Sequence, residues 1–155
     1  MAHTRAMASD LTTSIDIDAP PAVVWAVLTD TAAYPEWNPF VRELGGELVQ
    51  GGRLRVRIGP PGRRAVTLRP HVVHLEPERQ LTWLGRLLIP RLFDGQHSFV
   101  LEPRADGGTR FTQSEHFRGV LVPFMGRLLA STATGFDAMN EALRLRSEAQ
   151  VSSMS

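Results

Sequence analysis

Cysteine is absent from the chain, which excludes disulfides, thiolate metal sites and a cysteine nucleophile. Lysine is absent too. All 17 basic side chains are arginines, so no side-chain amine is available to form a Schiff base. No apolar run reaches the roughly 18 residues that a membrane-spanning helix requires, and Met1–Asp10 lacks the apolar core of a signal peptide. A cytoplasmic protein without membrane insertion is therefore expected. Net charge is scarce as well, at +1. Arg53, Arg55 and Arg57 are the nearest approach to a basic patch, but they alternate on one face of a predicted strand. A solvated outer face accounts for them, and no nucleic-acid partner is expected.

What is present is enough for one domain. At 155 residues and 43% apolar content, the chain can bury a core without covalent staples. Residues 1–10 and 149–155 are small and polar and are expected to be disordered, leaving a domain over 11–148.

Leu11–Asp18 carries β-branched residues at alternate positions and reads as a strand, which Ala19-Pro20-Pro21 ends. Val24, Trp25, Val27 and Leu28 fall at helical spacing within Pro21–Thr29. Asp30–Phe40 is broken by two prolines and reads as a helical turn and a loop. Six further strands are expected over Val41–Glu47, Arg53–Ile58, Arg64–Leu75, Gln80–Arg86, Gln96–Glu102 and Thr109–Phe117. Short Gly/Pro turns between them imply an antiparallel meander. Alternation is clearest in two strands. Leu54, Val56 and Ile58 oppose the arginines, and Phe111, Gln113, Glu115 and Phe117 oppose Arg110, Thr112, Ser114 and His116, as in a sheet with one covered face. The cover is a helix from Pro123 to about Glu148, with Met125, Leu128, Leu129, Thr132, Phe136, Met139 and Leu143 as its apolar stripe. Gly126 and Gly135 inside it imply close packing or a slight bend.

Four stretches also resemble a known family. Ile17-Asp18-Ala19-Pro20-Pro21 leading into Val24-Trp25, the loop Tyr34-Pro35-Glu36-Trp37-Asn38-Pro39-Phe40, and Leu81-Thr82-Trp83 with Gly108–Gly119 are similar to landmarks of the START-like SRPBCC superfamily. The likeness is to bacterial polyketide cyclase/dehydrase-like members. It implies an α+β helix-grip fold: a curved antiparallel sheet of about seven strands wrapped around the long C-terminal helix, two short helices after the first strand, and an internal cavity. The family label names one activity among many binding and transport proteins.

On that reading the ligand-contacting set is Trp37, Asn38 and Phe40 at one end, and Val56, Leu68, Trp83, His97, Phe99, Gln113, Glu115 and Phe117 on the inner faces. Met125, Leu128, Thr132 and Phe136 join them from the helix. The structural alternative is that Trp37 and Phe40 plug the end of the core and Asn38 caps a turn. An inward Glu115 beside His97 is costly on an apolar face unless paired or wet, and the two could do acid–base work. Alternatively, Glu115 pairs with Arg69 or Arg118 at a sheet edge. Arg69 is a third catalytic candidate or an anchor for an anionic group, its facing depending on how Pro70 disrupts the strand. His71 and His74, three apart on a strand, point to opposite faces, so no metal is expected, and no cofactor. The apolar loop Leu87–Phe93 reads as a lip over the cavity or an interface.

Three functions stay open. One is binding of a small apolar or aromatic molecule (polyketide, lipid or isoprenoid) for transport, storage or sensing, by a monomer or homodimer. The others are a cyclase, aromatase or dehydrase using the same cavity, and a protein-interaction module.

Overall fold

A computed structural model describes residues 8–59, 62–86 and 94–154. Strand β1 (Ala8–Ile17) leads through the proline pair into helix α1 (Pro21–Thr29), with Pro21 at its first turn. A 3₁₀ turn at Thr31–Ala33 passes directly into the single-turn helix α2 (Tyr34–Trp37). Strands β2 (Val41–Gly46), β3 (Leu54–Ile58), β4 (Val66–Leu68), β5 (His71–Glu76), β6 (Gln80–Arg86), β7 (Asp94–Pro103) and β8 (Thr109–Arg118) follow. A second 3₁₀ turn, Val122–Phe124, precedes helix α3 (Gly126–Ser153).

The architecture is α+β and helix-grip. Antiparallel strands form one sheet in the order β1-β8-β7-β6-β5 and a second in the order β2-β3-β4. The two meet where β3 approaches β5. Arg53 bridges to His71, Leu54 N donates to the Pro70 carbonyl at 2.8 Å, and Val72 N donates to that of Gly52 at 2.8 Å. The single expected strand over Arg64–Leu75 is thus two strands. Pro70 has no N–H to donate to a ladder, and it divides them at this corner.

Alternation decides which face is covered. Leu54, Val56 and Ile58 are buried while Arg55 and Arg57 are exposed, and Phe111, Gln113 and Phe117 are buried while Arg110, His116 and Arg118 are exposed. Helix α3 lies against the covered face with Thr132, Phe136, Met139 and Leu143 buried. Phe40 and Phe136 meet edge to face, ring centres 5.5 Å apart. Gly135 permits that contact, since a Cβ there would lie 2.3 Å from Phe40 Cδ1, whereas Gly126, at the helix start, faces open space.

Both chain ends differ from expectation. Residues 8–10 belong to β1, with Ala8 opposite Arg118, and 149–153 continue α3. No Gly or Pro interrupts that final stretch, and Val151 packs on the core, so the helix gains burial by going on. Loop Leu87–Phe93, read as a lip or interface, lies outside the described residues. No described helix is long and apolar enough to cross a membrane.

Candidate functional site

Between the sheets and the first half of α3 lies a cavity of about 340 Å³, within the size range of small-molecule sites. Its wall is mostly apolar: Phe40, Ile58, Val66, Leu68, Pro70, Trp83, Phe117 and Leu128, with Thr132 from α3. The Thr132 hydroxyl is committed to the Leu128 carbonyl at 2.8 Å, so the surface it offers is largely its methyl. Gly85 and Gly95 face each other across β6 and β7 and leave the wall without side chains there.

One polar row crosses this wall. Register places Trp83 opposite His97, and His97 opposite Glu115, on three neighbouring strands. Residues directly opposite in an antiparallel pair share a face and meet. The Trp83 and His97 rings stack at 5.1 Å, and Phe99 and Phe136 pack on the other sides of the imidazole. His97 Nδ1 stands 3.5 Å from Glu115 Oε2, while His97 Nε2 lies 2.8 Å from Gln113 Oε1. His97 is 1% exposed, Gln113 0% and the Glu115 side chain 12%. The pair is therefore dry on the protein side and opens only into the cavity. Glu115 Oε2 has no hydrogen-bond partner among the described residues. An acid–base pair in that setting can anchor a polar group of a ligand or move a proton on it. The alternative of a Glu115–arginine pair does not hold: Glu115 is aimed at His97, and both Arg69 and Arg118 are exposed.

Of the residues predicted from sequence, Phe40, Leu68, Trp83, His97, Glu115, Phe117, Leu128 and Thr132 line this cavity. The others do not reach it. Val56, Phe99 and Phe136 are fully packed core, Gln113 sits behind His97, and Met125 packs with Phe117 and Val122. Asn38 caps a turn, its Oδ1 accepting from Phe40 N at 3.0 Å and Val41 N at 2.8 Å. Trp37 packs edge-on against Tyr34 and borders a separate depression shared with α1 and the end of α3. Arg69 is also misplaced as an anchor. Pro70 turns inward at the corner and Arg69 outward, where its carbonyl accepts from Arg53 Nη1 at 2.9 Å. The arginines that do border the cavity are Arg63, Arg64 and Arg86, and Arg63 Nε reaches Ser131 Oγ at 3.3 Å. Sequence reading missed them because they flank turns, where periodicity assigns no face.

A family model described as polyketide cyclase / dehydrase and lipid transport matches residues 8–148. None of the curated proteins matches the chain in sequence. Among solved structures, the Zhui aromatase/cyclase from Streptomyces sp. R1128 is similar at 20% identity and a TM-score of 0.73, over 93% of this chain and 96% of that one. A Thermus thermophilus protein is similar at 15% identity and 0.72, over 92% and 99%. The di-domain aromatase/cyclase StfQ of the steffimycin biosynthetic pathway is similar at 15% identity and 0.73, over 96% of this chain. This chain spans about half of that one, 53%. At these identities the likeness concerns the fold.

Proposed function

The chain belongs to the polyketide cyclase / dehydrase and lipid transport family, and from that premise we propose that it binds a small apolar or aromatic molecule in the cavity. Glu115 and His97 are the polar anchor in this reading. The observation that carries it is an apolar space of about 340 Å³ into which one buried acid–base pair opens. A polyketide, lipid or isoprenoid body suits such walls, and a carbonyl or phenol suits the pair. The protein would act in the cytoplasm as a monomer or homodimer, without a cofactor.

The test is native mass spectrometry of the purified chain with organic extraction, followed by thermal shift with a panel of polyketides, lipids and aromatic acids. A bound apolar compound in stoichiometric amount is expected. At a hundredfold excess over Kd, a ligand should add about 2.7 kcal/mol of stability, or roughly 5–10 °C at this chain length. Leu68→Trp should abolish the response by filling the space. An empty protein indifferent to the whole panel would sink the proposal.

A second reading, proton transfer on a carbonyl substrate, is favoured by the 3.5 Å approach of His97 Nδ1 to Glu115 Oε2. Its probe is α-proton exchange of benzoylacetone followed by NMR. The reading predicts an acceleration that falls by roughly 100-fold or more in Glu115→Gln. Equal exchange with and without protein counts against it.

A further inference from the structure

His97, beside Glu115, is the inner end of a longer hydrogen-bond chain, whose role rests on the reading of the cavity as a ligand site. Behind His97, Gln113 Nε2 donates to Asn140 Oδ1 at 2.9 Å, and Asn140 Nδ2 lies 3.5 Å from Thr13 Oγ1. Thr13 Oγ1 donates to Asp137 Oδ1 at 2.7 Å, at the exposed face of α3. Gln113 and Asn140 are 0% and 2% exposed, so neither can turn to water instead.

The direction of this chain is fixed from its outer end. A carboxylate accepts and does not donate, and threonine has one hydroxyl proton. Committed to Asp137, the Thr13 hydroxyl can only accept from Asn140, which must present its amide nitrogen. Asn140 then turns its carbonyl to Gln113, and Gln113 in turn points its own carbonyl at His97. An amide oxygen cannot donate, so the hydrogen between Gln113 and the imidazole belongs to His97 Nε2.

We propose that Asp137, Thr13, Asn140 and Gln113 are positioning residues that hold His97 with its Nε2 protonated, so that its Nδ1 lone pair faces Glu115 and is free to take a proton. Without that proton, a nitrogen lone pair and a carboxylate would face each other across 3.5 Å. With it, the pair is either a carboxylic acid against an imidazole or a carboxylate against an imidazolium. Moving between the two forms transfers one proton from Glu115 Oε2 to His97 Nδ1, once the two atoms close from 3.5 Å to hydrogen-bond distance. The other imidazole tautomer would carry its hydrogen on Nδ1 and leave Nε2 bare against the Gln113 oxygen, which the amide orientation disfavours.

The test is long-range ¹H–¹⁵N correlation of the histidine side chains in the full chain, on the alkaline side of the ring titration. Wild type should show His97 with Nε2 protonated. Thr13→Val, an isosteric change on a half-buried strand position, should free the two amides to turn and bring up the Nδ1–H tautomer. Asn140→Leu should do the same, whereas Thr13→Ser should restore the wild-type pattern. A benzoylacetone exchange rate lowered roughly tenfold in Thr13→Val and recovered in Thr13→Ser is the matching activity readout. Wild-type His97 in the Nδ1–H form, or an unchanged ring pattern in folded Thr13→Val, overturns the inference. A ring that switches tautomer as expected in a protein that binds no apolar probe upholds the positioning and defeats only the proposed function.

Discussion

At the scale of single residues, Gly135 is where packing overrides propensity. Alanine in a helix interior is favoured over glycine by about 1 kcal/mol, yet here its Cβ would meet a Phe40 ring that is 1% exposed and has nowhere to go. Overpacking costs about 1–3 kcal/mol, so Gly135→Ala should lower stability in urea unfolding. Combined with Phe40→Leu, it should show a coupling of at least about 0.5 kcal/mol. A stabilised single variant would refute the close contact. Another residue-scale prediction concerns the Asp16–Arg110 pair across β1 and β8. The hydrogen bond from Arg110 is the main cause that holds the Asp16 carboxyl below its ordinary range, and the charge of Arg110 adds to it. A depressed folded value means the stabilisation is complete at neutral pH and is lost as pH falls through that value. A ¹³C titration of Asp16 should therefore give a midpoint below that of an ordinary carboxyl. In Arg110→Gln the midpoint should return upward, and an unmoved midpoint would exclude the pair in solution. The same scale shows what a sequence can reveal of a site. His97, Gln113 and Glu115 were legible because an alternating strand forces every second residue onto one face. Thr13 and Asn140 were not. Each sits on a covered face, but short polar side chains there become visible as a chain only once β1, β8 and α3 are brought together.

Elements show the same division. Every helix and nearly every strand was legible from spacing and from Gly/Pro punctuation, because both report local backbone preference. The break at Arg69-Pro70 was not placed, since a proline in a strand can mark an edge, a bulge or a corner, and only contact with β3 decides which. Contacts of that kind also join the start of β8 to the β1–α1 corner. The Thr109 hydroxyl, 0% exposed, donates to the Ala19 carbonyl at 2.7 Å. Thr109→Val keeps the shape and removes the donor, so a buried carbonyl loses a partner at a cost of about 1–3 kcal/mol. Urea unfolding should show that loss with an unchanged m-value. A variant as stable as wild type would mean that the carbonyl is satisfied in another way.

For the whole molecule, the cavity costs stability. Empty apolar space forfeits contacts that a filled core would make. Thr132 lines it and is 8% exposed, with its hydroxyl tied to its own helix. Thr132→Leu should raise the melting temperature by a few degrees, at about 0.8 kcal/mol for each buried methylene, while weakening any cavity ligand roughly tenfold or more. If both stability and binding were untouched, the space would not be where ligands sit. Topology has a further consequence, in time rather than in energy. β1 pairs along its length with β8, Ile17 meeting Thr109 and Ala8 meeting Arg118, so β1 is made well before its partner, with all the other strands lying between them in the chain. Folding rates fall as contacts become less local. The slow step should therefore be the docking of β1, and until β8 exists Leu11 and Ile15 wait on an open strand. Substitutions that loosen the β1–β8 seam will then act most on yield and on aggregation during synthesis, and least on the finished protein.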